Sequence, residues 1–109
     1  MSTISITQAA SSLLAEANAS PSGRAASTLY GGHDHALRQT VIALAGGHEL
    51  AEHESPGEAT LQVLSGTVRL TAGDDAWEGT AGDLLVIPPR RHALAALADS
   101  AVLLTVRVR

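Results

Sequence analysis

Residues 47–66 read GHELAEHESPGEATLQVLSG. Two short runs of β character, 49–54 and 60–64, stand on either side of a Pro56-Gly57 turn, and Ser65-Gly66 opens the next turn. Side chains at even separation share a strand face, so His53 and Ser55 point the same way, as do Ala59, Leu61 and Val63 beyond the turn.

Outward from this stretch the same grammar repeats. Strands are expected at 25–30, 37–44, 67–71, 76–78, 84–87, 93–97 and 101–108, separated by Gly31-Gly32, Gly46-Gly47, Gly73-Asp74-Asp75, Ala81-Gly82-Asp83 and Pro88-Pro89. A breaker every eight to twelve residues or so, without helices between strands, implies an antiparallel sandwich or small barrel. TVRLT and TVRVR place Val68, Leu70, Val106 and Val108 opposite Arg69 and Arg107, the alternation of half-buried strands. LLVIPP does not alternate and reads as a strand covered on both sides. Ahead of the strands, Ile6, Ala9, Ala10, Leu13, Leu14 and Ala17 form one stripe of a short helix over 7–18, with Thr7 as its N-cap. The division is residues 1–23, helix and linker, and 24–109, the β domain.

Composition narrows the chemistry. A chain of 109 residues fits one domain, and 45% hydrophobic against 17% charged residues favours a packed globule. Trp77 and Tyr30 are the only aromatic residues, so a stacking platform for nucleic-acid bases is absent, and a net charge of -4 opposes a phosphate-backbone partner. There is no cysteine, which removes thiolate nucleophiles, disulfides and Cys-ligated zinc. All seven basic residues are Arg, which removes lysine chemistry. No signal peptide or apolar run long enough to span a membrane is present, so the chain reads as soluble and cytoplasmic.

Residues 47–66 resemble the first motif of the cupin family: Gly47, His53 and Gly66 hold their places, while Ser55 stands at the second His position and Ala59 at the Glu position. GDLLVIPPRRHALAA is similar to the second motif: Gly82 and Pro88 fit, Arg90 replaces a Gly, His92 comes one residue early, and Ala96 stands where Asn would be. The resemblance covers 37–108 and implies an all-β fold, a double-stranded β-barrel or jelly roll, with the short helix added in front. It also implies a divalent-metal site of imidazoles and a carboxylate, of which His53 and His92 survive here. Two imidazoles rarely retain a metal, since protein sites normally use three or four donors. No tightly bound cofactor is therefore expected, at most a weakly held divalent metal on His53 and His92.

His33-Asp34-His35 follows two glycines and reads as a solvated loop rather than a site, and His48 as an exposed turn residue. Glu52, Glu54 and Glu58 are out of phase with the interior, which leaves Glu49, sharing parity with His53, as the one acid of this strand able to look inward. Arg90 and Arg91 beside His92 form either an anion clamp or two solvated arginines. Tyr30 and Trp77 read as packing or interface anchors. Ser55 near His53 lacks the turn and oxyanion hole of a serine hydrolase.

The expected function is cupin-like binding of a small organic molecule in an apolar lumen, oriented by His53, Ser55, His92 and Arg90. The alternatives are a metal-dependent enzyme (isomerase, dioxygenase or decarboxylase) with His53 and His92 as ligands, and a non-catalytic assembly module. The surplus of apolar strand in TVIALA, LLVIPP and AVLLTV calls for outside cover, and a homodimer using Tyr30 or the N-terminal segment is the expected partner arrangement.

Overall fold

The computed structural model describes residues 3–108. One helix, α1 (Ile6–Ala19), precedes nine strands: β1 (Arg24–Tyr30), β2 (Leu37–Leu44), β3 (Glu49–His53), β4 (Ala59–Ser65), β5 (Thr67–Ala72), β6 (Asp75–Thr80), β7 (Leu84–Val86), β8 (His92–Ala96) and β9 (Ser100–Arg107). All pairings are antiparallel, in a five-stranded sheet ordered β1-β2-β9-β4-β7 and a four-stranded sheet ordered β3-β8-β5-β6. The two sheets face each other as a jelly-roll sandwich. They do not join into one closed barrel, so seams remain beside the edge strands β1 and β3, and beside β6 and β7.

Between the sheets lies one apolar layer, with Leu44, Leu61, Val63, Val68, Leu70, Ile87, Leu94, Val102 and Val106 buried in it. Alternation builds it: Val68 and Leu70 are buried while Arg69 is exposed, and Ala59, Leu61 and Val63 share one buried face. A second layer forms on the outer face of the five-stranded sheet, where Ala10, Leu13 and Ala17 of α1 meet Val41, Ala43, Ala101 and Leu103. The small side chains there let the helix lie close.

Three local expectations are corrected. The N-cap is Ser5, whose Oγ accepts from the Gln8 N–H at 3.1 Å, because the helix begins at Ile6, one residue before the expected 7–18 span. Ile6, expected on the buried stripe, remains exposed at that end. LLVIPP is not covered on both sides: Leu84 and Val86 are 62% and 73% exposed, because β7 is a sheet edge and α1 does not reach its outer face. Only Ile87 of that run is buried. The Ser65-Gly66 turn explains its glycine, since Gly66 has φ +81° and a Cβ there would overlap the Asp99 carbonyl and Ser100.

Candidate functional site

β3 and β8 are neighbours in the four-stranded sheet, and His53 pairs directly with His92 across them. Their rings meet edge to face, centroids 4.5 Å apart and planes at 61°. His92 is buried at 4% exposure, whereas His53 forms the exposed rim. The two rings close one end of a small apolar cavity whose wall includes Leu50, Leu61, Leu70, Ile87 and Leu94.

The strand that carries His53 is bulged. Leu50 pairs with Leu94 in one register, and His53 pairs with His92 one residue out of it. The extra residue lets both Leu50 and His53 face the cavity although they are an odd number of residues apart. The bulge also settles Glu49: parity with His53 no longer carries across it, Leu50 turns inward, and Glu49 is exposed.

Each imidazole is anchored in the same manner. His53 Nδ1 lies 2.9 Å from the Ala51 carbonyl and His92 Nδ1 lies 2.9 Å from the Arg90 carbonyl. A carbonyl only accepts, so Nδ1 carries the proton in both rings, and in the neutral imidazole the lone pair sits on Nε2. Neither Nε2 has a protein partner among the described residues, and none of their side-chain polar atoms is both buried and unpartnered. His92 Nε2 therefore stays open to whatever enters the mouth.

The other expected site residues are not brought to this pair. Ser55 is bonded within its own turn, Oγ donating to the Gly57 carbonyl at 3.2 Å and accepting from the Gly57 N–H at 3.3 Å. The Arg90 guanidinium forms an ion pair with Asp75 on the β5–β6 hairpin, and the residue reaches the site only through its main-chain carbonyl. Arg91 lies outside: Nε donates to Glu52 at 3.0 Å, one terminal nitrogen to Glu54 at 2.9 Å, and the other to the Glu52 carbonyl at 3.3 Å. Hydrogen bonds donated to Glu52 and then to Glu54 push its pKa further above the usual arginine value, so its charge never titrates in the working range. Both arginines are thus engaged by the chain's own carboxylates rather than free to clamp an anion.

His35 stacks edge-on against Tyr30, 5.0 Å between centroids, in the exposed loop after β1, away from the pair. His48 is exposed on its turn and packs over Gly23.

The cavity has a volume of about 30 Å³, enough for a water or two and not for an organic molecule. Ile42 and Leu50 separate it from a larger recess of about 330 Å³ in the seam beside β1, bordered by Ser22, Arg24, Ala25 and Ala26. A groove of about 340 Å³ between α1 and Leu64–Ser65 is of similar size, but no titratable group lines it. For a divalent metal the donors are two imidazoles, with a methyl group at Ala59 and a Ser55 hydroxyl tied to its turn. Among the described residues no three His, Asp or Glu side chains gather, so the donor set falls short of a resident metal site.

The sequence profile of the cupin domain matches residues 40–107, and the chain belongs to the cupin family. It is similar to a conserved protein of unknown function, SPY1581 from Streptococcus pyogenes, at 31% identity over 83% of this chain and 78% of that one, with a TM-score of 0.72. An RmlC-like cupin from Shewanella frigidimarina shares the fold at 21% identity, covering 81% and 78%, TM-score 0.70. A salicylate 1,2-dioxygenase from Pseudaminobacter salicylatoxidans superposes with a TM-score of 0.74 at 20% identity, over 90% of this chain and 32% of the dioxygenase. No curated protein resembles the chain closely enough to count as a match. Among the described residues no helix is long and apolar enough to cross a membrane.

Proposed function

We propose that this cupin is a small-molecule-binding protein whose recognition element is the His53–His92 pair at the mouth of the cavity. The observation that carries the reading is the shared anchoring: both Nδ1–H groups are fixed to main-chain carbonyls, which leaves two Nε2 acceptors beside one apolar cavity. Two neighbouring acceptors suit a ligand with a hydroxyl, enol or ammonium donor on a short aliphatic or aromatic body. The cavity takes only the head of such a ligand. Its body fits when Ile42 and Leu50 turn aside and the cavity opens into the recess beside β1.

The metal-enzyme reading is weaker on the same geometry. A divalent ion on two imidazoles is held reversibly, because most of its coordination sphere remains water. Purified protein is accordingly expected to carry less than one metal per chain, measured by elemental analysis after purification without supplementation. Ala59→Glu places a carboxylate on the buried face of β4, which costs stability in the absence of metal and raises the affinity for Mn or Ni.

The deciding experiment is NMR screening of a fragment set of small alcohols, enols and amines, following the imidazole ¹⁵N signals. Fragments should shift Nε2 of both histidines, and His53→Ala and His92→Ala should each abolish the response. Leu50→Ala should admit longer fragments. Fragments that bind without moving either Nε2, or one metal per chain lost in both His variants, would overturn the reading, the second in favour of the enzyme.

A further inference from the structure

The four sheet edges are not alike. β3 bears Glu49 and Glu52, β6 bears Asp75 and Glu78, and β1 starts at Arg24 and lies partly under α1. Charged side chains on an edge discourage another strand from pairing with it. The remaining edge, β7, reads Leu84-Leu85-Val86 and has no charge.

Its hydrogen-bonding pattern shows which groups are left over. Ile87 N–H donates to the Ala59 carbonyl at 3.1 Å, and Val63 N–H donates to the Asp83 carbonyl at 2.9 Å. Leu61 stands opposite Leu85 midway between them. In an antiparallel pair the bonded residues alternate, so 83, 85 and 87 address β4, while the main-chain N–H and C=O of Leu84 and Val86 point away from it. These same two residues expose their side chains, on the outer face beside uncharged Thr60 and Gln62. An unpaired main chain, a large apolar side chain and the absence of charge coincide at one edge.

We propose that β7 is a self-association edge, whose occupant is β7 of a second copy of this chain. Antiparallel pairing about a two-fold axis at Leu85 places Leu84 of one copy against Val86 of the other, and the reverse. Each such pair exchanges both main-chain bonds left unused within the chain, and brings two exposed apolar side chains into cross-strand contact. The arrangement is self-complementary, as a two-fold interface requires, and joins the two five-stranded sheets edge to edge. Charge favours this edge too. A chain of net charge -4 repels its copy wherever acids meet, and at β7 the nearest acid, Asp83, is turned back onto Thr80, its carboxylate accepting from the Thr80 N–H at 2.8 Å. The contact is short, below the roughly 1,200 Å² of a standard interface, so the dimer is concentration-dependent. It differs from a dimer built on Tyr30 or the N-terminal helix, whose Ala10, Leu13 and Ala17 are already buried against the chain's own sheet.

Sedimentation velocity on the full chain, from about 5 μM to about 500 μM, tests it, because this range brackets weak specific association. The expected result is a shift from the mass of one chain to that of two. Hydrogen exchange should show the Leu84 and Val86 amides protected at the high end only. Val86→Pro removes a donor that the single chain does not use, and Val86→Lys adds an edge charge; each should weaken the dimer by roughly tenfold or more. Ala26→Lys, on the β1 edge, should leave it unchanged. If Val86→Pro proves unfolded by circular dichroism, Val86→Lys decides alone, since its side chain is exposed. A monomer at every concentration, or a dimer that both folded Val86 variants leave intact, or one that Ala26→Lys weakens equally, overturns the proposal.

Discussion

The two apolar layers of this molecule differ in the size of their parts. The layer between the sheets is built from Leu, Val and Ile, while the layer under α1 is built largely from Ala, with Ala10, Ala17, Ala43 and Ala101 all buried. Large branched side chains from two twisted sheets do not close against each other at the mouth, where the cavity behind His53 and His92 remains. The groove left beside the helix at Leu64 and Ser65 is roomier, but no titratable group stands in its wall. The paired histidines thus stand at the inner layer, and the outer one covers strands.

Changes that enlarge or crowd one layer test this contrast. The largest effect is expected from Leu70→Ala, which truncates a buried wall of the cavity and should cost about 3 kcal/mol in urea unfolding while widening the site for fragments. A loss of under about 1 kcal/mol would mean that the inner layer is already loose. Ala43→Leu forces a large side chain beneath α1 and should cost about 2 kcal/mol through overpacking, with the His53–His92 signals unmoved. Coupled movement of those signals would break the separation of the layers. Ser5→Ala removes the helix cap and should cost about 1 kcal/mol, again without effect at the mouth.

The smallest effect belongs to Arg91→Ala, whose exposed ion pairs with Glu52 and Glu54 brace the outside of β3 next to His53. Its pKa is raised on folding, so its contribution is fully present below the ordinary arginine value and is lost only as pH climbs through the higher folded one. The pairing should thus be insensitive to alkaline pH in the working range, yet weakened by about 1 M salt. A change in the His53 signal with little change in stability would identify Arg91 as a positioning residue for the rim.

Most of the strand positions were legible in the chain. Period-two alternation and a Gly, Asp or Pro breaker at each turn placed the strands, because a strand with one wet face must alternate and a tight turn needs residues that tolerate it. The runs TVIALA and AVLLTV announced a need for outside cover, and α1 supplies it. LLVIPP announced the same need and received none, because cover depends on where a strand lies in the sheet.

His53 and His92 were both identifiable by their motif positions, and pairing between two strands made them neighbours. What the sequence alone could not state was the fate of the residues around them. Glu49 shares parity with His53 along the chain, but a bulge resets that parity. The carboxylates that take Arg90 and Arg91 are supplied from other strands, Asp75 from β6 and Glu52 from β3. Alternation, turns and motif spacing are local properties, fixed by neighbours in sequence. Register shifts, sheet edges and ion-pair partners arise only when distant strands meet, and those meetings set two anchored imidazoles over a small apolar cavity.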